Sequence, residues 1–239
     1  MRGRLALALL AATAACIVVF SLFPDLDLWV ARALLRPDGL FLGQNSYPLN
    51  WLHEKAVPWM VKLCLAFFVL AMLAGLFGRS IAGISVKEAL FVIAVFAIGP
   101  GLLANTLAKD HSGRPRPTDA RPFGGPFAYA APFAFDGACP NNCSFVSGDA
   151  AAGFGFLAPA ALLAPAWRRR GIVGALVLGI AIGLMRMLQG GHFLSDVIFG
   201  AIFSMGTALA LHWLMFHADG RPRGRAGRDW VPPPGKLAL

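Results

Sequence analysis

Long apolar runs constrain the fold of this chain more than any other feature of its sequence. Six of them cover roughly residues 5–23, 57–77, 87–107, 148–166, 171–188 and 196–216. Each approaches the ~20 apolar residues that a helix needs to cross a bilayer. In hydrocarbon a helix satisfies its own backbone polar groups, which a single open strand cannot do. The sequence therefore predicts an all-α, polytopic membrane protein with six transmembrane helices.

The composition agrees with a membrane protein and argues against a nucleic-acid binder. Only 14% of the 239 residues are charged, whereas soluble domains carry roughly a quarter. A net charge of +9 would suit nucleic acid, but the charges flank apolar spans and form no basic face interleaved with aromatic residues. We therefore assign them to membrane topology and expect the bilayer, not nucleic acid, as partner.

Lysine and arginine also predict the orientation of the spans. The first apolar run continues past Cys16, which favours an uncleaved helix over a signal peptide. The excess of positive charge places both termini in the cytoplasm of a bacterial inner (plasma) membrane. This divides the chain into a membrane domain, 1–216, and a basic, Pro-rich cytoplasmic tail, 217–239, expected to be disordered. The outer segment 24–56 either lies along the interface or caps the bundle.

Three polar stretches interrupt the apolar background. They are "KDHSGRPRP" at 109–117, "CSFVSGDAAAG" at 143–153 and "RMLQGGHFLSD" at 186–196. In the predicted topology all three lie at the outer ends of helices. They can therefore converge on one active site at the periplasmic boundary of the membrane.

The chemistry of these stretches suits a phosphate group. Their cations are Lys109, Arg114, Arg116 and Arg186. Arginine presents a planar fork that matches phosphate oxygens. Ser147 and Gly148 open a helix, so backbone N–H groups and the positive end of the helix dipole face a bound anion. Together these groups predict a binding site for a tetrahedral anion.

His192 and Asp196 add a reactive pair to this site. A carboxylate bonded to one imidazole nitrogen fixes the tautomer and raises the basicity of the other nitrogen. That arrangement activates a histidine as nucleophile. A single histidine at a membrane interface is ordinarily structural, but three complementary stretches on one side of a bundle favour a catalytic pair.

The motifs resemble those of the type 2 phosphatidic acid phosphatase superfamily of membrane lipid phosphatases. Its first motif, Lys, six residues and Arg-Pro, is matched by Lys109 and Arg116-Pro117. Its third, Ser-Arg, five residues, His, three residues and Asp, is matched from Arg186 through His192 to Asp196, without the leading Ser. Its second, Pro-Ser-Gly-His, keeps only the central Ser-Gly.

This resemblance implies a mechanism and a role for each matched residue. The phosphate-binding residues would be Lys109, Arg116, Arg186, Ser147 and Gly148. His192 would attack phosphorus and form a phosphohistidine that water hydrolyses, and Asp196 would orient it. The resemblance implies no metal and no cofactor, because cations and N–H groups stabilise the developing charge.

The departure in the second motif leaves the general acid open. In the family the histidine of this motif protonates the leaving oxygen, and here Asp149 stands in its place. Asp149 could replace it if its surroundings raise its pKa. His111, inside the first motif, is another candidate, and a good leaving group would need no dedicated acid.

The remaining expectations concern a disulfide and the substrate. Cys139 and Cys143, in "CPNNC", would pair if their loop faces the periplasm. The expected substrate is a phosphorylated membrane lipid, with no obligate protein partner. The second motif is similar to that of lipid A 1-phosphatase-like members, so lipid A 1-phosphate comes first, before undecaprenyl pyrophosphate and phosphatidylglycerol phosphate. A phosphotransferase between lipids, or a pure binder, remains the alternative.

Overall fold

The computed structural model describes residues 2–217, and the regular elements in this range are helices. The first half contains α1 (Arg2–Leu22), α2 (Leu26–Ala33), α3 (Tyr47–Trp51), a π-helical turn (Leu52–Ala56), α4 (Val57–Leu76), α5 (Val86–Phe96) and a π-helical segment (Ala97–Ala108). Then come α6 (Lys109–His111), two 3-10 turns (Pro117–Asp119 and Arg121–Phe123), α7 (Gly148–Gly155), α8 (Leu157–Leu162), α9 (Pro165–Leu188) and α10 (Leu194–His217). The predicted tail lies outside the described residues, apart from residue 217.

Within residues 2–217, five helical stretches are long and apolar enough to cross a membrane. They are Gly3–Leu22, Tyr47–Leu76, Val86–Ala108, Pro165–Leu188 and Leu194–Phe216. The structure therefore supports an all-α polytopic membrane protein. Five of the six predicted spans appear as such helices, and the run at 148–166 does not.

The run at 148–166 is divided into the two short helices α7 and α8. The break falls at Phe156, where Pro159 lacks the N–H that would bond to the carbonyl of Gly155 in a continuous helix. The following helix, α9, begins at Pro165, six residues before the predicted start of its span. The sequence pattern located the apolar run correctly but could not show that it bends.

Small residues allow α7 to pack closely against α9. A Cβ atom added to Gly153 would lie 2.9 Å from the Cα of Gly179, and one added to Gly179 would lie 2.7 Å from the ring of Phe154. Close backbone approach of this kind is a usual way for helices to associate in membranes. It fixes the position of α7, whose first turn belongs to the candidate site.

Helix α2, in the segment 24–56, packs over the start of α10, which favours the second of the two predicted alternatives for this part of the segment. The side chain of Asp27, in α2, is fully buried and accepts a hydrogen bond from the backbone N–H of Ser195 at 2.9 Å. On the other face of the same helix, Trp29 is 72% exposed. Helix α2 therefore covers the start of α10 and presents an aromatic side chain outward, as at a membrane interface.

The contact between α7 and α9 gives a prediction with an internal control. Gly179→Ala should lower the melting temperature in detergent, because its new Cβ meets Phe154 and overpacking costs about 1–3 kcal/mol. Gly174→Ala, one turn and a half earlier on α9, has no atom within 4 Å of its new Cβ and should be neutral or slightly stabilising. Equal melting temperatures for the two variants would contradict the close packing of α7 on α9.

Candidate active site

His192 lies in the short connection between α9 and α10, with only 2% of its surface exposed. Its Nδ1 is 2.8 Å from the backbone carbonyl oxygen of Ser144. Because a carbonyl oxygen can only accept, Nδ1 carries the hydrogen and donates it. Its Nε2 is buried and has no hydrogen-bond partner among the described residues. The imidazole is thus held with a free lone pair on Nε2, the form that a nucleophile requires.

Asp196 stands beside this imidazole without bonding to it directly. Its Oδ2 is 3.6 Å from Nδ1 of His192, which is too far for a hydrogen bond. The same carboxylate accepts bonds from the hydroxyl of Ser144 at 2.5 Å and the N–H of Phe193 at 2.8 Å. Ser144 therefore links the pair, accepting from His192 with its carbonyl and donating to Asp196 with its hydroxyl. Sequence reasoning had not singled out Ser144.

Arg114 is placed behind this pair and not in the phosphate-binding group that the sequence predicted. Its guanidinium is 1% exposed and donates to Asp196 at 2.5 Å and to Asp27 at 2.6 Å. Further donors reach the hydroxyl of Ser195 and the carbonyl oxygen of Ala130. The guanidinium also lies over the ring of Phe193, 4.4 Å from its centroid. These contacts occupy Arg114 and make it a buried link between α2 and α10.

Lys109 and Arg116, the two cations of the first motif, meet at Asn142. The Oδ1 of Asn142 lies 3.4 Å from Nζ of Lys109 and 3.0 Å from Nη2 of Arg116. Asn142 belongs to a loop closed by a disulfide between Cys139 and Cys143. A lysine has three N–H donors and an arginine five, so both cations keep donors for a phosphate group. Sequence reasoning identified the cysteines but not the asparagine between them.

Arg186, Asp149 and His53 form a second charged group. The Oδ2 atom of Asp149 is 3.0 Å from Nε of Arg186 and 3.3 Å from Nδ1 of His53. Arg186 also donates from Nη1 to the side-chain oxygen of Gln189 at 2.8 Å. Asp149 is therefore held in its charged form between two positive or potentially positive groups. This position does not suit it as a general acid, which must carry a proton.

Ser147 and Gly148 begin α7 as the sequence predicted. The hydroxyl of Ser147 accepts a hydrogen bond from the N–H of Ala150 at 3.3 Å, which caps the helix. A Cβ atom added to Gly148 would lie 2.1 Å from Oδ1 of Asn105, so a larger residue there would require the side chain of Asn105 to move. The hydroxyl of Ser147 accepts in the cap, so its own O–H can still donate, beside the N–H groups of the first turn, to an anion.

His111 lies apart from the group around His192 in its hydrogen bonding. It is exposed, and its Nδ1 lies 2.9 Å from the carbonyl oxygen of Leu107, four residues earlier. Within residues 2–217 its side chain makes no hydrogen bond to the group around His192, so its role as a substrate-binding residue or as the acid stays a prediction.

Electrostatic interactions join the separate groups into one site. Burial lowers the pKa of His192 to about 4, Asp196 opposes this shift, and Arg186 and Arg116 add to it. Burial likewise lowers the pKa of Lys109, Asp149 opposes that shift, and the same two arginines add to it. Arg116 and Arg186 thus act both on Lys109 and on the imidazole, which stays neutral near pH 7.

A buried histidine with a free nitrogen, in the field of two arginines, is suited to chemistry on an anion, and the helices that carry it are suited to a membrane. Fold and site together define the class of membrane phosphatases. The sequence model of the PAP2 superfamily matches residues 88–219, over half of the chain. The chain therefore belongs to this family.

Curated relatives of the chain are lipid A phosphatases. A lipid A 4'-phosphatase of Francisella tularensis subsp. novicida is 37% identical over 205 residues, 83% of this chain and 90% of the relative. One of Rhizobium leguminosarum is 41% identical over 48% of this chain and 49% of the relative. A lipid A 1-phosphatase of Rhizobium johnstonii is 40% identical over 50% and 46%. No solved structure matches the chain.

The two arginines of "RPRP" give a prediction that distinguishes a residue needed for stability, Arg114, from one needed to bind phosphate, Arg116. Arg114→Met should lower the free energy of unfolding by about 3–5 kcal/mol, because it leaves two buried carboxylates without their partner. Arg116→Met should change it by about 0.5 kcal/mol or less, because Arg116 is partly exposed and bonds only to Asn142. Thermal unfolding in detergent measures both variants.

Phosphate release should be lost in both variants, for different reasons. Arg116→Met should unfold like the wild type and bind the phosphate group poorly. Similar melting temperatures for the two variants would contradict the placement of Arg114 as a buried link.

Proposed function

We propose that this chain hydrolyses a phosphate monoester on the headgroup of lipid A and releases inorganic phosphate. The reaction takes place at the periplasmic face of the bacterial inner membrane and needs no metal or cofactor. The observation that carries the proposal is the free, buried Nε2 of His192 beside Arg116 and Arg186. A neutral imidazole next to clustered cations is an arrangement for attack on a phosphate group.

The proposed reaction has two steps. Lys109, Arg116 and Arg186 bind the phosphate oxygens, and the N–H groups of the first turn of α7 add further donors. The Nε2 of His192 forms a bond to phosphorus while the bond from phosphorus to the sugar oxygen breaks. Water then attacks the phosphohistidine, and inorganic phosphate leaves. Asp196, through Ser144, keeps the imidazole in the reactive tautomer.

The 4'-phosphate is the first candidate for the position that is cleaved, in place of the 1-phosphate that the sequence motif suggested. The relative that aligns over most of the chain is named a lipid A 4'-phosphatase, and so is the one from Rhizobium leguminosarum. The 1-phosphatase aligns over half of the chain. Undecaprenyl pyrophosphate and phosphatidylglycerol phosphate are the next candidates, followed by a phosphotransfer between lipids.

Charge along α9 supports the periplasmic placement. Arg168, Arg169 and Arg170 lie in its first turns, and Arg186 lies in its last turn. At 1.5 Å per residue, Arg168 and Arg186 are about 27 Å apart along the helix axis, close to the ~30 Å thickness of the hydrocarbon. The basic cluster suits the cytoplasmic end, which leaves the site at the outer end. Both chain termini are then cytoplasmic, as the sequence predicted.

The test is the position of the phosphate lost from lipid A that carries both phosphates. Purified protein in detergent, with chelator, should release phosphate and yield the 4'-dephosphorylated product, identified by tandem mass spectrometry. His192→Ala should lower the rate to background, since it removes the nucleophile.

Other results would redirect the proposal. A 1-dephosphorylated product would overturn the 4' assignment, and turnover of only undecaprenyl pyrophosphate or phosphatidylglycerol phosphate would overturn lipid A. Phosphate transfer that depends on a second lipid would indicate a transferase.

A further inference from the structure

The proposed reaction lacks a proton donor for its leaving group. A sugar alkoxide leaves far more readily when a positioned acid protonates it, an effect typically worth 10²–10⁴ in rate. The residue in the family's position for this acid is Asp149, and its carboxylate is paired with Arg186. His111, the other candidate, bonds to its own helix.

An imidazole nevertheless lies beside Asp149, and it comes from a distant part of the chain. His53 lies in the π-helical turn Leu52–Ala56, far from every motif. Its Nδ1 is buried and lies 3.3 Å from Oδ2 of Asp149. The side chain as a whole remains 31% exposed. One ring nitrogen therefore faces the carboxylate, while part of the ring stays accessible.

The turn that carries His53 is fastened to the end of α9 beside Arg186. The side-chain nitrogen of Gln189 donates to Oδ1 of Asn50 at 2.7 Å, and its oxygen accepts from Arg186 at 2.8 Å. Leu49 also packs against a small core that contains Ile182. Val57, after His53, is buried in the same core, so specific contacts on both sides of His53 hold it next to Arg186.

We propose that His53 is the general acid of the reaction and that Asp149 is its positioning residue. This inference rests on the proposed phosphatase function. The carboxylate of Asp149 lies 3.3 Å from Nδ1 of His53, close enough to orient the ring. The family's histidine at the position of Asp149 is thereby replaced by a carboxylate that holds a histidine from another segment.

The protons balance in both steps. As Nε2 of His192 bonds to phosphorus, the bond from phosphorus to the sugar oxygen breaks, and that oxygen takes the proton from Nε2 of His53. His53 is then neutral. When water attacks phosphorus, its proton passes to His53 as the bond from phosphorus to His192 breaks. Inorganic phosphate leaves, and both histidines return to their starting states.

The dependence on the leaving group tests this proposal. Lipid A has a poor leaving group that needs a proton, whereas 4-nitrophenyl phosphate has a good one that does not. His53→Gln should slow the turnover of lipid A about 100-fold or more and leave the first-turnover burst of 4-nitrophenolate, which precedes the step in which His53 accepts a proton from water, within a few-fold of wild type. Asp149→Asn should slow the turnover of lipid A in the same direction. Glu54→Gln, in the same turn and exposed, is the matched control and should change neither rate.

The outcomes separate this proposal from a structural role and from the proposed function itself. For His53→Gln, equal losses of lipid A turnover and of the 4-nitrophenolate burst, or full turnover of lipid A, would overturn His53 as the acid. Melting temperatures in detergent exclude unfolding as the cause of a loss. His192→Ala should abolish the turnover of both substrates. A wild-type protein inactive on both would overturn the phosphatase function instead.

Discussion

The buried ion pairs of Arg114 hold the candidate site together. One guanidinium connects Asp27 of α2, Asp196 of α10 and, through Ala130 and Tyr129, the loop between α6 and α7. Two buried carboxylates and one buried guanidinium are stable only when nearly every donor and acceptor is paired. Here the pairing is nearly complete, so a change in any one of these segments would disturb the others.

This pairing explains how the short connection between α9 and α10 can hold a precisely placed nucleophile. Asp196 is fixed by Arg114, and Asp196 in turn binds the hydroxyl of Ser144 and the N–H of Phe193. Ser144 then orients His192 through its carbonyl oxygen. The free Nε2 is thus supported by a chain of contacts that begins at α2. Such prior organisation lets a site stabilise developing charge without rearranging during the reaction.

The sequence predicted those features that depend on residue type and spacing alone. Apolar length predicted the helices, and motif spacing brought together Lys109, Arg116, Arg186 and His192. It did not separate Arg114 from Arg116. The backbone of Arg116 is close to polyproline II, with φ −71° and ψ 159°. With three residues per turn in that conformation, residues two apart point in different directions.

The functional residues that the sequence did not predict either lie outside the three motifs or have no distinctive side-chain chemistry within them. Asp27 and His53 come from the segment 24–56, and nothing in their sequence surroundings indicates where they fold. Ser144 acts largely through its backbone carbonyl, which every residue possesses. The bend at Phe156 depends on Pro159 and on the packing of α7 against α9. These features are decided by tertiary contacts between distant segments, so local patterns could not predict them.

A covalent phosphate on His192 would distinguish nucleophilic attack by this residue from every other route to phosphate release. Protein mixed with lipid A and quenched in base within milliseconds should carry one phosphate on His192, because phosphohistidine survives base and the account makes Nε2 the nucleophile. Peptide mass spectrometry locates the group, and it should be missing in His192→Ala. Rapid phosphate release with no phosphorylated His192 at any quench time, or phosphate on another residue, would contradict the account.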